Sequence, residues 1–156
     1  MDIEHLDAMD RRILKMLQFD GKATIKEMAN QLNMTNTPVF ERVKRLERDG
    51  FIKQYTAILD RQKIGLHMVV FCTVSLKVHH ADFLERFEQE VTCLEEVVEC
   101  YHIAGMFDYL LKVVVRDMDV YRQFVSKKLA ALENIGKVQS SFVMTEIRHS
   151  TALPIS

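Results

Sequence analysis

One segment near the N-terminus combines residue types that could bind nucleic acid. In the segment that follows Thr35, apolar residues recur at helical spacing and would share one buried face of a helix: Val39, Val43 and Leu46. The opposite face would carry Thr37, Glu41, Lys44, Arg45 and Arg48. Cationic side chains at that spacing can bind the phosphates of DNA. A solvated helix face is the alternative interpretation, and the spacing by itself leaves both open.

Three short helices are predicted to position this surface. Asp7 can cap the first helix, and Thr24 with Glu27 forms a capping box at the start of the second. Thr35 is expected to cap the third, and Gly50 to end it. A short helix, a tight turn and a second helix with a polar outer face predict a helix-turn-helix, whose outer helix fits the major groove.

The residues expected at DNA fall into two groups. Early residues of the outer helix would contact the edges of the DNA bases. The later lysine and arginine side chains would contact phosphates, and such contacts position the protein without specifying sequence. The candidates are Thr35, Asn36, Thr37, Phe40 and Glu41, followed by Lys44, Arg45 and Arg48. Residues 35–63 hold seven Lys or Arg against four Asp or Glu, although the whole chain has a net charge of −1. This small excess predicts modest non-specific affinity per chain, which oligomerisation would have to multiply.

The remainder of the chain predicts a hinge and a second domain. FIKQYTAIL at 51–59 alternates well enough for a strand, and the polar DRQKIG that follows is the best candidate for an interdomain hinge. We therefore expect a helix-turn-helix domain with a flanking strand over 1–59, a hinge over 60–66 and a second domain over 67–156.

The second domain shows a βαββαβ pattern. Strands are predicted over 67–78, 96–103, 108–116 and 137–147, with helices over 81–91 and from an Asp119 cap onward. This order predicts an α+β fold of ferredoxin-like type, in which two helices cover one face of four antiparallel strands. The first and third strands are apolar on both faces, so the uncovered face needs another partner. A second copy of the domain is the simplest one, which predicts a dimer.

Composition excludes several other classes of protein. Cys72, Cys93 and Cys100 are odd in number and have no CxxC spacing, so neither a disulfide framework nor a zinc site is expected. No apolar run approaches the ~20 residues that span a bilayer, and the first residues are acidic rather than those of a secretory signal. We expect a cytoplasmic protein without membrane contact.

Two stretches resemble a known family. LDAMDRRILKMLQFDGKATIKEMANQLNMTNTPVFERVKRLERDGFIKQYTAILD and GMFDYLLKVVVRDMDVYRQF look like the Lrp/AsnC (leucine-responsive, feast/famine) regulators, and the resemblance covers essentially the whole chain. It implies a sequence-specific transcriptional regulator that binds double-stranded DNA and carries a ferredoxin-like effector (RAM) domain. It also implies dimers that assemble further, often to octamers, and a response to a free amino acid. An architectural DNA-organising protein without an effector is the alternative.

The resemblance also places an effector site at the interface between effector domains. Its candidates are Tyr101, Ile103, Ala104, Gly105, Met106 and Asp108, with Ser140 and Ser141 from the partner side. The ammonium of an amino acid requires a carboxylate such as Asp108, and its carboxylate requires N–H groups that a glycine turn can present closely. Alternatively, Gly105 and Asp108 build a hairpin turn and nothing more. Met106-Phe107 is apolar where relatives often have a polar residue, which favours an apolar effector or a changed site.

An enzyme is the remaining class, because some tetrapyrrole decarboxylases look similar to this family in both domains. An enzyme would need a convergent acid–base set in a pocket. His79 and His80 lie at a strand end, where solvated loop histidines are common, and His102 is expected to be packed or near a ligand. Because no metal-ligand spacing or nucleophile motif is present, we expect no enzyme and no cofactor.

Overall fold

The computed structural model describes residues 6–155, which form two compact units. The first unit comprises the described residues up to Ile58 and those from Arg148 onward, and the second comprises Leu59–Ile147. The domains expected at 1–59 and 67–156 also include residues 1–5 and 156, which lie outside the described residues.

The last residues of the chain pack with the first unit, although the sequence placed them in the second domain. The side-chain amide of Gln18 donates to the carbonyl of Leu153 at 3.2 Å and accepts from its N–H at 2.5 Å. Ile155 packs against the core of the first unit. The apolar contact of Ile155 with this core and the two hydrogen bonds of Leu153 explain why the tail packs with the first unit.

Three helices build the first unit: α1 (Ala8–Phe19), α2 (Ile25–Leu32) and α3 (Asn36–Arg48). The Asp7 carboxylate accepts from two N–H groups of the first turn of α1, and Thr24 with Glu27 forms the predicted capping box of α2. Asn33 ends α2 in the left-handed conformation, with φ of 53° and ψ of 47°. The core consists of Ile13, Leu14, Met28, Ala29, Leu32, Val39, Val43 and Leu46.

Thr35 is the N-cap residue of α3 as predicted, but its expected capping hydrogen bond is missing from the described residues, and the strand predicted after α3 is wrong. Thr35 occupies the N-cap position, but among the described residues its side chain receives no capping hydrogen bond. Pro38, two residues into α3, has no N–H to donate at one of the two usual positions. Residues 53–60 form neither a helix nor a strand, because in the described chain no other segment pairs with this stretch.

The second unit has the predicted ferredoxin-like order. Its elements are β1 (Met68–Leu76), α4 (Ala81–Thr92), β2 (Val97–His102), β3 (Tyr109–Val115), α5 (Met118–Gln123) and β4 (Ile135–Phe142). The four strands form one antiparallel sheet in the order β2-β3-β1-β4. After α5 the helix continues as one wide turn over Phe124–Lys128 and one tight turn over Leu129–Ala131.

Several boundaries of the second unit differ from expectation, and the start of α5 and the end of β4 are two of them. Asp117, not Asp119, caps α5, since its carboxylate accepts from the N–H of Val120 at 2.9 Å. β4 ends at Phe142 rather than at residue 147, because Phe142 pairs with Val70 and β1 begins two residues earlier. The Val143 N–H still donates to the carbonyl of Val69 at 3.0 Å, and only Met68 of β1 remains beyond that point.

The core of the second unit lies between the helices and one face of the sheet. Alternate residues of β1 and β3 are fully buried there, namely Val70, Cys72, Val74, Tyr109, Leu111 and Val113. Residues on the opposite face of the two strands, such as Phe71, Leu110 and Val114, are half-buried. In the described part of the chain, no helix is both long and apolar enough to span a lipid bilayer.

Candidate DNA-binding surface and effector site

The outer face of α3 presents most of the residues predicted to meet DNA. Asn36, Thr37, Glu41, Lys44 and Arg48 are exposed, and so is the flanking Thr35. The ring of Phe40 is 44% exposed, and the Lys44 ammonium lies 5.9 Å from its centroid. An exposed aromatic ring beside a cation provides an apolar and a charged contact on the same helix turn.

Each lysine and arginine side chain on α3 forms an ion pair with an aspartate or glutamate of the same unit. Arg42 pairs with Asp7 and Asp10, Lys44 with Glu47, Arg45 with Asp10, and Arg48 with Asp49. Lys44 and Arg48 form surface ion pairs with residues close to them in sequence. Such pairs contribute little to the stability of the fold, so a DNA phosphate can replace the carboxylate at low cost. The pairs of Arg42 and Arg45 differ because they converge on a buried carboxylate.

Asp10 is the one charged residue of the described chain whose side chain is fully buried. Its two oxygens accept from Arg42 at 2.8 Å and from Arg45 at 2.5 Å. Arg45 was predicted to contact phosphate, but the structure also gives it this internal role. Sequence reasoning missed both Arg42 and Asp10. The available signal was that Asp10 stands three and four residues before Ile13 and Leu14, at the spacing of the buried stripe.

Most of the effector-site candidates lie in or beside the turn between β2 and β3, whereas Ser140 and Ser141 lie on β4. Oδ2 of Asp108 accepts from the N–H of Leu76 at 2.7 Å and lies 3.0 Å from Nε2 of His79. The Leu76 N–H and, to a smaller degree, His79 hold the pKa of Asp108 below its usual value. Asp108 is therefore an ionised carboxylate with a fixed orientation, and it joins the turn to the end of β1.

The other candidates on this turn are largely exposed. Gly105 has φ of +152°, a conformation that residues with a side chain rarely adopt. Met106 is 87% exposed and Ala104 is exposed, whereas Ile103 is half-buried and donates its N–H to the Asp108 carbonyl at 2.8 Å. The turn thus leaves its tip accessible while its two ends are hydrogen-bonded together.

Ser140 and Ser141, predicted to act together, lie on opposite faces of β4. Ser140 pairs with Cys72, and its hydroxyl accepts from the Tyr121 hydroxyl at 2.5 Å on the helix side. Ser141 pairs with Phe71 and is exposed on the other face. The Tyr121 hydroxyl also lies 3.1 Å from the Cys72 sulfur, and burial raises the pKa of that thiol. These two serines therefore cannot line one side of a common site.

The side chains of Tyr101 and His102 also lie on opposite faces of the sheet. The Tyr101 hydroxyl donates to Glu99 at 2.9 Å, and Glu99 also accepts from Lys112 at 2.8 Å. Tyr101 pairs with Leu110, on the sheet face that the helices leave uncovered. His102 stacks on the Tyr109 ring with 4.7 Å between centroids, and 54% of its side chain is exposed.

Comparison with known proteins matches each of the two units to a domain family. Residues 6–53 match the winged helix-turn-helix DNA-binding family, and residues 69–153 match the Lrp/AsnC ligand binding domain. The chain belongs to the Lrp/AsnC family. This confirms the predicted family and the α+β fold class, and it makes the chain a DNA-binding transcriptional regulator with a ligand-binding domain rather than an enzyme.

Individual Lrp/AsnC relatives align along nearly the whole chain. The leucine-responsive regulatory protein of Escherichia coli (strain K12) is 39% identical over 150 residues, covering 96% of this chain and 92% of the relative. A transcriptional regulator from Neisseria meningitidis, solved as a complex with L-Met, is 35% identical with a TM-score of 0.92 and 96% coverage of both chains. An AsnC family regulator from Agrobacterium tumefaciens is 36% identical with a TM-score of 0.92, covering 96% of this chain and 97% of the other.

Proposed function

We propose that this regulator binds a free apolar amino acid at the β2–β3 turn and thereby changes its DNA affinity or its assembly. Asp108 is the observation that carries the proposal. Its carboxylate is ionised and held in place by the Leu76 N–H beside the exposed Gly105 turn. An ammonium group placed there would form a charge-assisted hydrogen bond without first ordering its partner.

The type of effector is suggested by the chemistry around Asp108. Met106 and Phe107 provide apolar surface next to the glycine turn. A main chain without a side chain at Gly105 can approach the effector carboxylate closely. The Neisseria relative was solved with L-Met, which supports an effector of this size and polarity for a chain that shares 35% of its residues.

For DNA, we propose that α3 enters the major groove. Thr35, Asn36, Thr37, Phe40 and Glu41 would face bases, and Lys44, Arg45 and Arg48 would face phosphates. The exposed Lys44 and Arg48 have surface acids as partners, so exchange of those acids for phosphate costs little. The internal pair of Arg45 limits its reach, and we assign it a positioning role in addition to a phosphate contact.

We also propose a homodimer, assembling further to an octamer, through the sheet face that the helices do not cover. Phe71, Leu110 and Val114 lie on this face and are half-buried in one chain. Because an apolar sheet face is seldom left in water, a second sheet is the simplest cover. A site between effector domains would then receive residues from two chains, and exposed Ser141 is the serine that could reach it.

A thermal-shift screen of the full chain against the twenty amino acids tests the effector proposal. A ligand that binds the folded state stabilises it by about 2.7 kcal/mol at a hundredfold excess over Kd. We expect a rise in melting temperature with one or a few apolar amino acids, lost in Asp108→Asn and retained in Asp119→Asn, a matched exposed carboxylate. A flat screen on protein that still binds DNA would contradict the proposal and favour the architectural alternative.

A further inference from the structure

A small, open cavity lies in the DNA-binding unit, beneath α3. It has a volume of about 250 Å³. Its inner wall is apolar and is formed by Leu17, Ala23, Ile25, Met28, Phe40 and Val43. This volume lies just below the ~300 Å³ lower limit for drug-sized ligands, so it suits a smaller molecule. All of these residues belong to the first unit, so the cavity is independent of the β2–β3 turn.

The mouth of the cavity carries one charge of each sign. Lys44 and Glu47 line it, and their Nζ and Oε2 atoms lie 2.9 Å apart. Oε1 of Glu47 also accepts from the Tyr55 hydroxyl at 3.0 Å. Burial and the neighbouring Glu47 raise the pKa of Tyr55 to about 12, so the phenol stays protonated and donates. The rim thus offers an ammonium, a carboxylate and a hydroxyl above an apolar floor.

We propose that this cavity is a second ligand site and that it binds a free apolar amino acid. The amino acid's carboxylate would pair with Lys44, its ammonium with Glu47, and its side chain would occupy the space above Met28. The Lys44–Glu47 pair is exposed, with 58% and 30% of the two side chains accessible, so replacing it by two pairs to the ligand costs little.

Occupation of this cavity would act directly on the DNA-binding surface. Lys44 and Phe40 line the cavity and also lie on the outer face of α3, where the ammonium is 5.9 Å from the ring centroid. A ligand carboxylate on Lys44 withdraws one cation from phosphate. DNA and the amino acid therefore compete for the same ammonium, and each lowers the affinity of the protein for the other.

Methyl NMR on the full chain, labelled with ¹³C-methyl methionine, tests this site. Met28 reports on the cavity floor, and Met106 reports on the β2–β3 turn. Met28→Leu, which nearly conserves volume, assigns the signal. With L-leucine as the probe we expect a saturable shift of the Met28 signal, abolished in Lys44→Gln and in the cavity-filling Ala23→Leu. Lys53→Gln, an exposed lysine outside the cavity lining, should retain it.

This experiment tests the cavity proposal and the effector proposal independently. A saturable Met106 shift with an unmoved Met28 signal would overturn the second site and support the effector proposal. A Met28 shift that persists in both Lys44→Gln and Ala23→Leu would overturn it as well, because the shift would come from elsewhere. A Met28 shift that follows protein concentration without ligand would show that a second copy covers the cavity, which also overturns the proposal.

The dependence on the ammonium is tested by the 2-oxo acid of leucine, which retains the carboxylate and the aliphatic chain. We expect it to bind at least about tenfold more weakly than L-leucine, since it leaves Glu47 without a ligand partner. Equal affinity of the two would overturn the assignment to an amino acid. L-Aspartate should leave the Met28 signal unmoved because the cavity wall is apolar, and an equal saturable shift with it would contradict that selectivity.

Discussion

Nη2 of Arg45 lies 2.5 Å from Oδ2 of Asp10, a carboxylate whose side chain is only 1% exposed. Arg42 reaches the other oxygen of the same carboxylate at 2.8 Å. Asp10 belongs to α1 and both arginines belong to α3. One buried anion thus fixes the helix that we assign to the major groove, and the two guanidinium groups neutralise it.

Removing this anion should weaken the fold of the first unit. We expect Asp10→Ala to lower the free energy of unfolding by about 2–3 kcal/mol, less than the ~3–5 kcal/mol of fully buried pairs because Arg45 is 41% exposed and partly screened by water. Urea unfolding at pH 7 measures the change. Glu41→Ala, an exposed acid on α3, should change it by less than about 0.5 kcal/mol. An Asp10→Ala effect as small as that of the control would contradict the structural role.

Arg48 and Arg45 should separate DNA contact from positioning. Arg48 pairs with its neighbour Asp49, and its side chain is largely exposed. We expect Arg48→Gln to make the slope of log affinity against log salt shallower by about 0.9 per chain without changing unfolding. Arg45→Ala should weaken binding to all DNA alike, flatten the slope and also destabilise the fold, since it removes a partner of Asp10.

Fluorescence anisotropy with one operator-sized duplex over a salt series measures these slopes. Lys127→Gln, an exposed lysine of the second unit, is the control and should leave the slope unchanged. An unaltered slope for Arg48→Gln would remove this residue from the interface. The same result for Arg45→Ala, together with lower stability, would leave Arg45 with the positioning role alone.

The two neighbouring serines of β4 should give opposite results. Ser140→Ala removes the acceptor of the Tyr121 hydroxyl on the helix side and should lower stability by about 1 kcal/mol. Ser141→Ala lies on the uncovered face and should leave the stability of the chain nearly unchanged. We expect Ser141→Ala to reduce the shift caused by the amino acid, and Ser140→Ala to retain it. Thermal melts with and without L-methionine measure both, and exchanged outcomes would place the site on the helix side.

Asp108 should contribute to the loss of stability in acid. Its pKa in the folded chain is lower than the ordinary value of 3.8, mainly because of the Leu76 N–H. A lowered carboxyl pKa stabilises the fold above the unfolded pKa, and this stabilisation disappears as the pH falls through the lower, folded pKa. Wild type should therefore lose more stability between about pH 5 and pH 2 than Asp108→Asn. Urea midpoints across this range test it, and parallel curves would show that the hydrogen bond does not favour the charged form.

Much of the fold was readable from local patterns. The capping residues Asp7 and Thr24, the buried stripe of α3 and the βαββαβ order all depend on neighbours in sequence, and each is found in the structure. The basic outer face of α3 was predictable for the same reason, because helical spacing alone decides which side chains share a face. The family followed from two long stretches of residues and needed no coordinates.

Other features needed the tertiary structure. Residues 53–60 have a strand-like pattern, but a strand also needs a partner backbone, and the described chain supplies none there. β4 ends at Phe142, close to the start of β1 at Met68, so its length depends on a segment more than seventy residues earlier in the chain. The separation of Ser140 from Ser141 follows from the pleat of a strand, whose register only the sheet fixes.

The sequence by itself determined the two-part organisation, the helix-turn-helix surface and the glycine turn with Asp108, because each is encoded by residues close together in the chain. Tertiary structure alone decided the pairing of Arg45 with Asp10, the cavity between Met28 and Lys44, and the return of the tail to Gln18. These contacts join residues that are distant in sequence. Whether a charge is buried, paired or free depends on what the rest of the chain places around it.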